Sequence, residues 1–211
     1  MTEFSTEQEQ FWAGEFGNSY INRNVSNKLL AANIKMFSSV FSNVEAIHSI
    51  TEYGCNVGMN FKALRTILPN CRFRGVEINS DAVAILREQN PDVEVAHKSI
   101  LEKDSLEVDF TFTKGVLIHI NPDQLHKVYD NLYFNSSRYI MVAEYYNPRP
   151  VTLSYRGHDN KLFKRDFAGD LLDKYADLRL LDYGFCYHRD KLFPQDDISW
   201  FLLKKDRSKG R

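Results

Sequence analysis

The stretch Glu52-Tyr53-Gly54-Cys55-Asn56-Val57-Gly58 has the residue types to hold a nucleoside. It follows an apolar, β-rich run at residues 46–51 and opens a helix-like run at 60–68. Nineteen residues after Gly58 comes Glu77, closing a second short apolar run at 73–76. In such a unit glycines let the backbone approach the ligand, and the acid accepts hydrogen bonds from ribose hydroxyls.

A second group of residues has the types for proton transfer and acceptor binding. His119 lies a few residues beyond a strand-like run at 109–116, and Glu144, Tyr145 and Tyr146 close another at 139–145. Ligands of α/β sheets bind at strand C-termini, so His119 is a candidate base and Glu144 and Tyr145 are candidate catalytic groups. Side chains alternate along a strand, which turns Tyr145 away from Glu144 and Tyr146. Farther on, Arg156, His158, Lys161, Lys164 and Arg165 put five potentially cationic groups into ten residues, and His188 adds another. With Tyr146, they are candidates to bind an anionic acceptor, because an Arg fork suits carboxylate or phosphate. The Asp196-Asp197 pair after Pro194-Gln195 reads as a turn or cap, and no metal is expected. Cys55 reads as a small packed residue.

The elements that must position these groups alternate. Leu29, Leu30, Ile34, Phe37 and Val40 have helical spacing, with Ser26 as N-cap. A strand at 72–77, a helix at 81–88 capped by Asn79 or Ser80, and a short strand at 93–96 follow the glycine turn. Asn121-Pro122 reads as the start of a helix to about 133. Residues 151–163 are polar, Asp166 caps a helix through 175, and 178–185 and 198–203 read as closing strands. The rhythm predicts an α/β chain with a mostly parallel sheet and helices on both faces. Residues 11–20 hold four aromatics and two glycines, too many glycines for a helix by pattern. They read as an ordered segment laid on the main domain. The expected division is an N-terminal helical or lid segment, 1–45, and a ligand-binding domain, 46–207.

Composition narrows the classes. The 211 residues are 43% hydrophobic and 26% charged, ordinary for a globular chain with a sizeable core. A net charge of −1 supplies no field to attract nucleic acid. Residues 1–10 lack the basic and apolar regions of a signal peptide, and no apolar run is long enough to span a membrane. Three cysteines without a C-x-x-C pair suggest a reduced, cytoplasmic protein.

Which nucleoside is bound follows from the glycines. A dinucleotide fingerprint needs glycine at 54, 56 and 59, where the chain has Gly54, Asn56 and Met59. A nicotinamide-dependent oxidoreductase is therefore disfavoured, and no P-loop is present. Acid-x-Gly-x-x-x-Gly instead resembles motif I of class I S-adenosylmethionine methyltransferases, with Asn56 in place of the usual middle glycine. Asn tolerates the left-handed backbone such a turn needs. The resemblance implies a Rossmann-like, seven-stranded fold and S-adenosyl-L-methionine as cofactor. It places Glu52, Gly54, Asn56 and Gly58 around the cofactor and Glu77 with Ile78 at its ribose. It also places Ser99 and Ile100 at the adenine and Lys114 and Gly115 beside the methionine end.

The segments FWAGEFGNSYINRN (11–24), TKGVLIHINPDQL (113–125), AEYYNP (143–148), YRGHDNKLFKRDFAG (155–169) and DYGFCYHRDKLFPQDD (182–197) resemble the bacterial pseudaminic acid biosynthesis-associated methylases. That resemblance implies methylation of a small surface-glycan acceptor: a sugar, sugar nucleotide or phosphorylated metabolite. Oxygen is favoured over nitrogen as the atom methylated. By analogy, Tyr20 and Arg23 reach over the cofactor. A cofactor-binding protein that acts only as a partner in a biosynthetic complex remains the alternative.

Overall fold

The computed structural model describes residues 4–21 and 26–206. Its main sheet has seven strands: β1 (Ser49–Tyr53), β2 (Arg72–Glu77), β3 (Glu94–His97), β4 (Val108–Lys114), β5 (Ser136–Glu144), β8 (Leu178–Cys186) and β9 (Ile198–Lys205). Their order is β3-β2-β1-β4-β5-β9-β8. The first five run parallel, and β9 lies antiparallel between β5 and β8. A two-stranded hairpin, β6 (Val151–Tyr155) and β7 (His158–Lys164), stands apart.

The alternation of β5 explains the layering. Tyr139, Met141 and Ala143 enter one core with Phe37, Phe61 and Leu64; Ile140 and Val142 enter the other with Leu132 and Leu171. Successive strand side chains point to opposite faces, so this strand needs helices on both. One face receives α3 (Asn27–Phe41) and α4 (Met59–Ile67), with Leu86 of α5 (Ser80–Gln89). The other receives α6 (Leu125–Phe134) and α7 (Phe167–Lys174). Among the described residues, no helix is long and apolar enough to cross a membrane.

Helix starts follow their caps. Ser26 accepts from the Leu29 N–H, Asn79 from Asp81 and Ala82, and Asp166 from Gly169. Three segments differ from the pattern reading. β1 starts at Ser49 because its neighbour β2 begins opposite it, at Arg72, and it extends through Tyr53, taking Glu52 into the strand. Residues 11–20 are helical after all: α1 (Glu7–Ala13) and α2 (Glu15–Tyr20) meet at Gly14. A Thr6–Glu9 capping box starts α1. The polar run at 151–164 is the hairpin, turned at Arg156 (φ 53°) and Gly157 (φ 85°). Two successive positive φ values match the right-handed twist of hairpin strands.

The hairpin and the N-terminal helices hold each other. Gln8 Nε2 donates to the Asn160 carbonyl at 3.0 Å, Lys161 pairs with Glu7 at 3.0 Å, and Phe11 and Phe16 pack on the His158 ring.

Candidate functional site

Strand order reverses between β1 and β4, and a cavity of about 250 Å³ opens there, at the C-terminal ends of the strands. Its floor is the turn from β1 to α4. Gly54, Asn56 and Gly58 all have left-handed backbones, with φ of 80°, 47° and 79°. A Cβ on Gly54 would lie 2.6 Å from Val116 Cγ2, and one on Gly58 2.3 Å from Leu86 Cδ1. Gly58→Ala therefore combines left-handed strain with overpacking. It is expected to destabilise the protein by about 2–4 kcal/mol, to be read from urea unfolding.

Glu77 ties this turn to β2. Its carboxylate accepts the backbone N–H of Asn56 (2.8 Å), Ile78 (2.9 Å) and Asn79 (2.9 Å). Burial raises its pKa against these bonds. A carboxylate offers about four acceptor positions, so one is left toward the cavity. Ile78, Asn79, Ser99 and Ile100 complete this end.

Beyond the turn lies a chain of polar groups. Asn33 Nδ2 donates to Asn60 Oδ1 at 3.0 Å, and Asn60 Nδ2 donates to Glu52 Oε1 at 2.6 Å. Glu52 is 1% exposed, and its Oε2 has no protein partner. Burial pushes its carboxyl up to about 8, opposed by the Asn60 bond and by the charge of Lys114. Lys114, the last residue of β4, has its amine pushed down by burial, with Glu52 opposing. The pair offers an ionisable carboxyl and an amine to one ligand end.

The far end is aromatic. The His119 ring packs at tilted angles against Trp12, with centroids 4.6 Å apart, and Tyr155, at 4.7 Å, which also touch each other at 6.4 Å. His119 Nδ1 is 2.6 Å from the Lys161 carbonyl, which only accepts, so Nδ1 carries the proton and Nε2 the lone pair. Burial pushes its pKa down to about 4, keeping the ring neutral near pH 7. Tyr20 hydrogen-bonds Tyr155, and its own phenol is pushed up to about 12 by burial and that neighbour.

The loop carrying His119 is clamped from below. Glu144 accepts N–H bonds from Val116 (3.0 Å), Leu117 (3.1 Å) and Ile118 (3.5 Å). Burial still raises its pKa to about 7.

Of the residues singled out in the sequence, Tyr20, Glu52, Gly54, Asn56, Glu77, Ile78, Ser99, Ile100, Lys114, Gly115, His119 and Tyr145 line this cavity. Gly58 packs behind the turn, and Glu144 is turned into the loop backbone, away from the catalytic position given to it. Arg23 lies outside the described residues.

The expected cationic cluster is dispersed. Lys161 pairs with Glu7, Arg165 with Asp170 and His188 with Asp197. His158 packs on Phe11, Lys164 sits over the Tyr145 ring, and Tyr146 is exposed against Phe201. Arg156 hydrogen-bonds Tyr155. None of these lines the cavity. The charges were counted along the chain, but their partners are set by tertiary contacts.

Trp12, Asn33, Asn60, Tyr155 and Gln195 line the cavity without having been singled out for it. Asn33, a polar residue on the apolar face of α3, was a readable signal; Gln195 had none. Asp197 bonds both the backbone and ring of His188, as a turn residue does. Among the described residues, no group of three or more His, Cys, Asp or Glu is placed to hold a metal.

A parallel sheet with its last strand inserted antiparallel is shared with solved structures. The chain superposes on Burkholderia thailandensis 1,6-didemethyltoxoflavin-N1-methyltransferase, solved with its substrate and S-adenosylhomocysteine, with TM-score 0.71 and 12% identity. The match covers 97% of this chain and 92% of that one. This is the class I methyltransferase fold. Magnesium protoporphyrin IX methyltransferase from Synechocystis gives 0.68 and 13% identity, over 93% and 97% of the two chains. An S-adenosylmethionine-dependent methyltransferase from Clostridium acetobutylicum gives 0.63 and 13%, over 90% and 97%. No protein-family model matches the sequence, and no curated protein matches it significantly. The class I methyltransferase fold thus rests on three-dimensional likeness.

Proposed function

We propose that this protein is an S-adenosylmethionine-dependent methyltransferase acting on a small acceptor. The observation that carries the reading is one cavity with a ribose-type acid, Glu77, a buried acid–amine pair, Glu52 and Lys114, and a neutral histidine, His119. The cofactor, when bound, supplies an electrophilic methyl group on sulfur.

The residues fit it. Glu77 has acceptor capacity for a ribose hydroxyl, and the Gly54–Asn56 backbone permits close approach. Ile78 and Ile100 offer apolar surface to a base, with Ser99 beside them. Glu52 Oε2 would hold the cofactor's ammonium and Lys114 its carboxylate. Residues 1–45 act as a cap through α1 and α2, and 46–207 form the cofactor domain. For the acceptor, the chain's own groups align and deprotonate. Trp12 and Tyr155 fix the His119 plane, the Lys161 carbonyl fixes its tautomer, and Nε2 takes the proton of an attacking hydroxyl. O-methylation of a surface-glycan precursor is the reading that combines this base with the sequence resemblance.

The test is calorimetric titration with S-adenosylhomocysteine, with NADH as control. Micromolar binding of the former alone supports the reading; binding of neither, or of NADH, sinks it. A linked prediction concerns protons. Glu52 is protonated at pH 7 while its pKa stands near 8, and an arriving ammonium favours the ionised form. Binding should therefore release a proton, and S-adenosylhomocysteine affinity should rise by up to about tenfold per pH unit toward pH 8. Binding enthalpies in buffers of different ionisation heat measure the release; proton uptake would contradict it.

A further inference from the structure

The cavity lining holds hydrogen-bonding groups that neither the fold nor the cofactor contacts above use. Trp12 Nε1 and both ends of the Gln195 amide are buried without a protein partner, and both residues line the cavity. Gln195 is 5% exposed, and its backbone is fixed on both sides. Its N–H donates to the Tyr187 carbonyl at 3.4 Å, and its carbonyl accepts from Asp197 at 2.8 Å. Buried polar groups in native proteins are otherwise bonded, so a side chain held inward with both ends open is built for a ligand.

The charges of the lining exclude one class of ligand. Lys114 is the one Lys or Arg among the described lining residues, and it lies within the field of Glu52 and of Asp196. Asp196, adjacent to Gln195, also acts on Tyr20 and Tyr145. Arg156 and Lys164 reach these tyrosines without lining the cavity. An anionic group beside Gln195 would meet Asp196 and the negative faces of aromatic rings.

Resting on the methyltransferase reading, we infer that the reacting end of the acceptor is an uncharged, flat-faced ring alcohol. It lies on Trp12 and Tyr155 and presents adjacent donor and acceptor groups to the Gln195 amide. A primary amide reads such an edge bidentately, as Gln reads adenine. The nucleophilic hydroxyl faces His119 Nε2. In the transfer its oxygen forms the new bond to the methyl carbon as the carbon–sulfur bond breaks. That bond's electron pair stays on sulfur, and the hydroxyl proton passes to Nε2. Gln195 and Trp12 thereby determine specificity.

The test is a panel of ring alcohols (cyclitols, pyranosides and dihydroxybenzenes), each assayed with S-adenosylmethionine against its own monophosphate ester, which keeps a free hydroxyl. The free alcohol is expected to exceed its ester in kcat/KM by at least about tenfold. Gln195→Leu should raise KM for the best alcohol at least about tenfold, with kcat within about threefold and S-adenosylhomocysteine affinity unchanged. Gln195→Lys, an independent variant should the first misfold, should narrow the discrimination against esters. Faster turnover of esters would overturn the inference. So would an unchanged KM in Gln195→Leu, undiminished ester discrimination in Gln195→Lys, or no turnover of any free alcohol by protein that binds S-adenosylhomocysteine. Failure to bind S-adenosylhomocysteine at all would instead sink the methyltransferase reading.

Discussion

Alanine at His119 is expected to lower kcat by about 10²–10³, the lower part of the range for a general base, while leaving S-adenosylhomocysteine affinity unchanged. The lower part applies because a ring with pKa about 4 is always available near pH 7 but is a weak base. The same value fixes the acid limb. At saturating S-adenosylmethionine, kcat should be flat from pH 7 down to about 5 and fall with a midpoint near 4, not near the ordinary histidine value of 6.5. Stability shares the sign. The pKa is depressed in the fold, so the unfolded chain takes up this proton first. His119's contribution is full above about pH 6.5 and is lost as pH falls toward 4. A rate profile over pH 3.5–8 for wild type and His119→Ala checks both. Near-normal turnover in the variant would remove His119 from the mechanism.

Alanine at Glu77 is expected to raise the dissociation constant for S-adenosylhomocysteine by at least about 100-fold, or about 3 kcal/mol. The change removes the acceptor for a ribose hydroxyl. It also strands the N–H groups of Asn56, Ile78 and Asn79, which the carboxylate holds at 2.8–2.9 Å. The melting temperature should fall in parallel. Asp81→Ala, one turn away in the first turn of α5, should leave the affinity unchanged and separates this effect from a general loss of acidity. Calorimetry on the two variants decides it; equal affinities would remove Glu77 from the cofactor site.

The glycine-turn end of the cavity was legible because its logic is local. Periodicity switches from two to 3.6 and back between residues 49 and 77, and the glycines and the acid sit at the switches. Asn79 was readable as a cap for the same reason. The far end is assembled from α1, the loop after β4 and the hairpin. Its partners lie far apart in the chain, as with Gln8 and Asn160, 152 residues apart. Nothing near Trp12 says that it will pack against His119. The five cations of 156–165 show the limit from the other side. Their types suggested one anion site, but Lys161 and Arg165 each found an acid of the protein itself. Residues 11–20 are helical because the Thr6–Glu9 capping box starts α1 and Gly14 ends it, local signals that outweigh two glycines.

The antiparallel β9 sits between β5 and β8, and its Leu202 and Leu203 are fully buried in opposite cores. Both layers are therefore completed by residues made after all their neighbours. During synthesis, β5 keeps a bare edge and β8 has no partner strand until Ile198–Lys205 leaves the ribosome, and bare edges are templates for pairing with other chains. A nascent chain stalled before β9 would hold the β1–α4 turn, Glu77 and Lys114 and still lack the strand that joins β5 to β8. Aggregation of prematurely terminated chains, more than loss of chemistry, is the failure this topology invites.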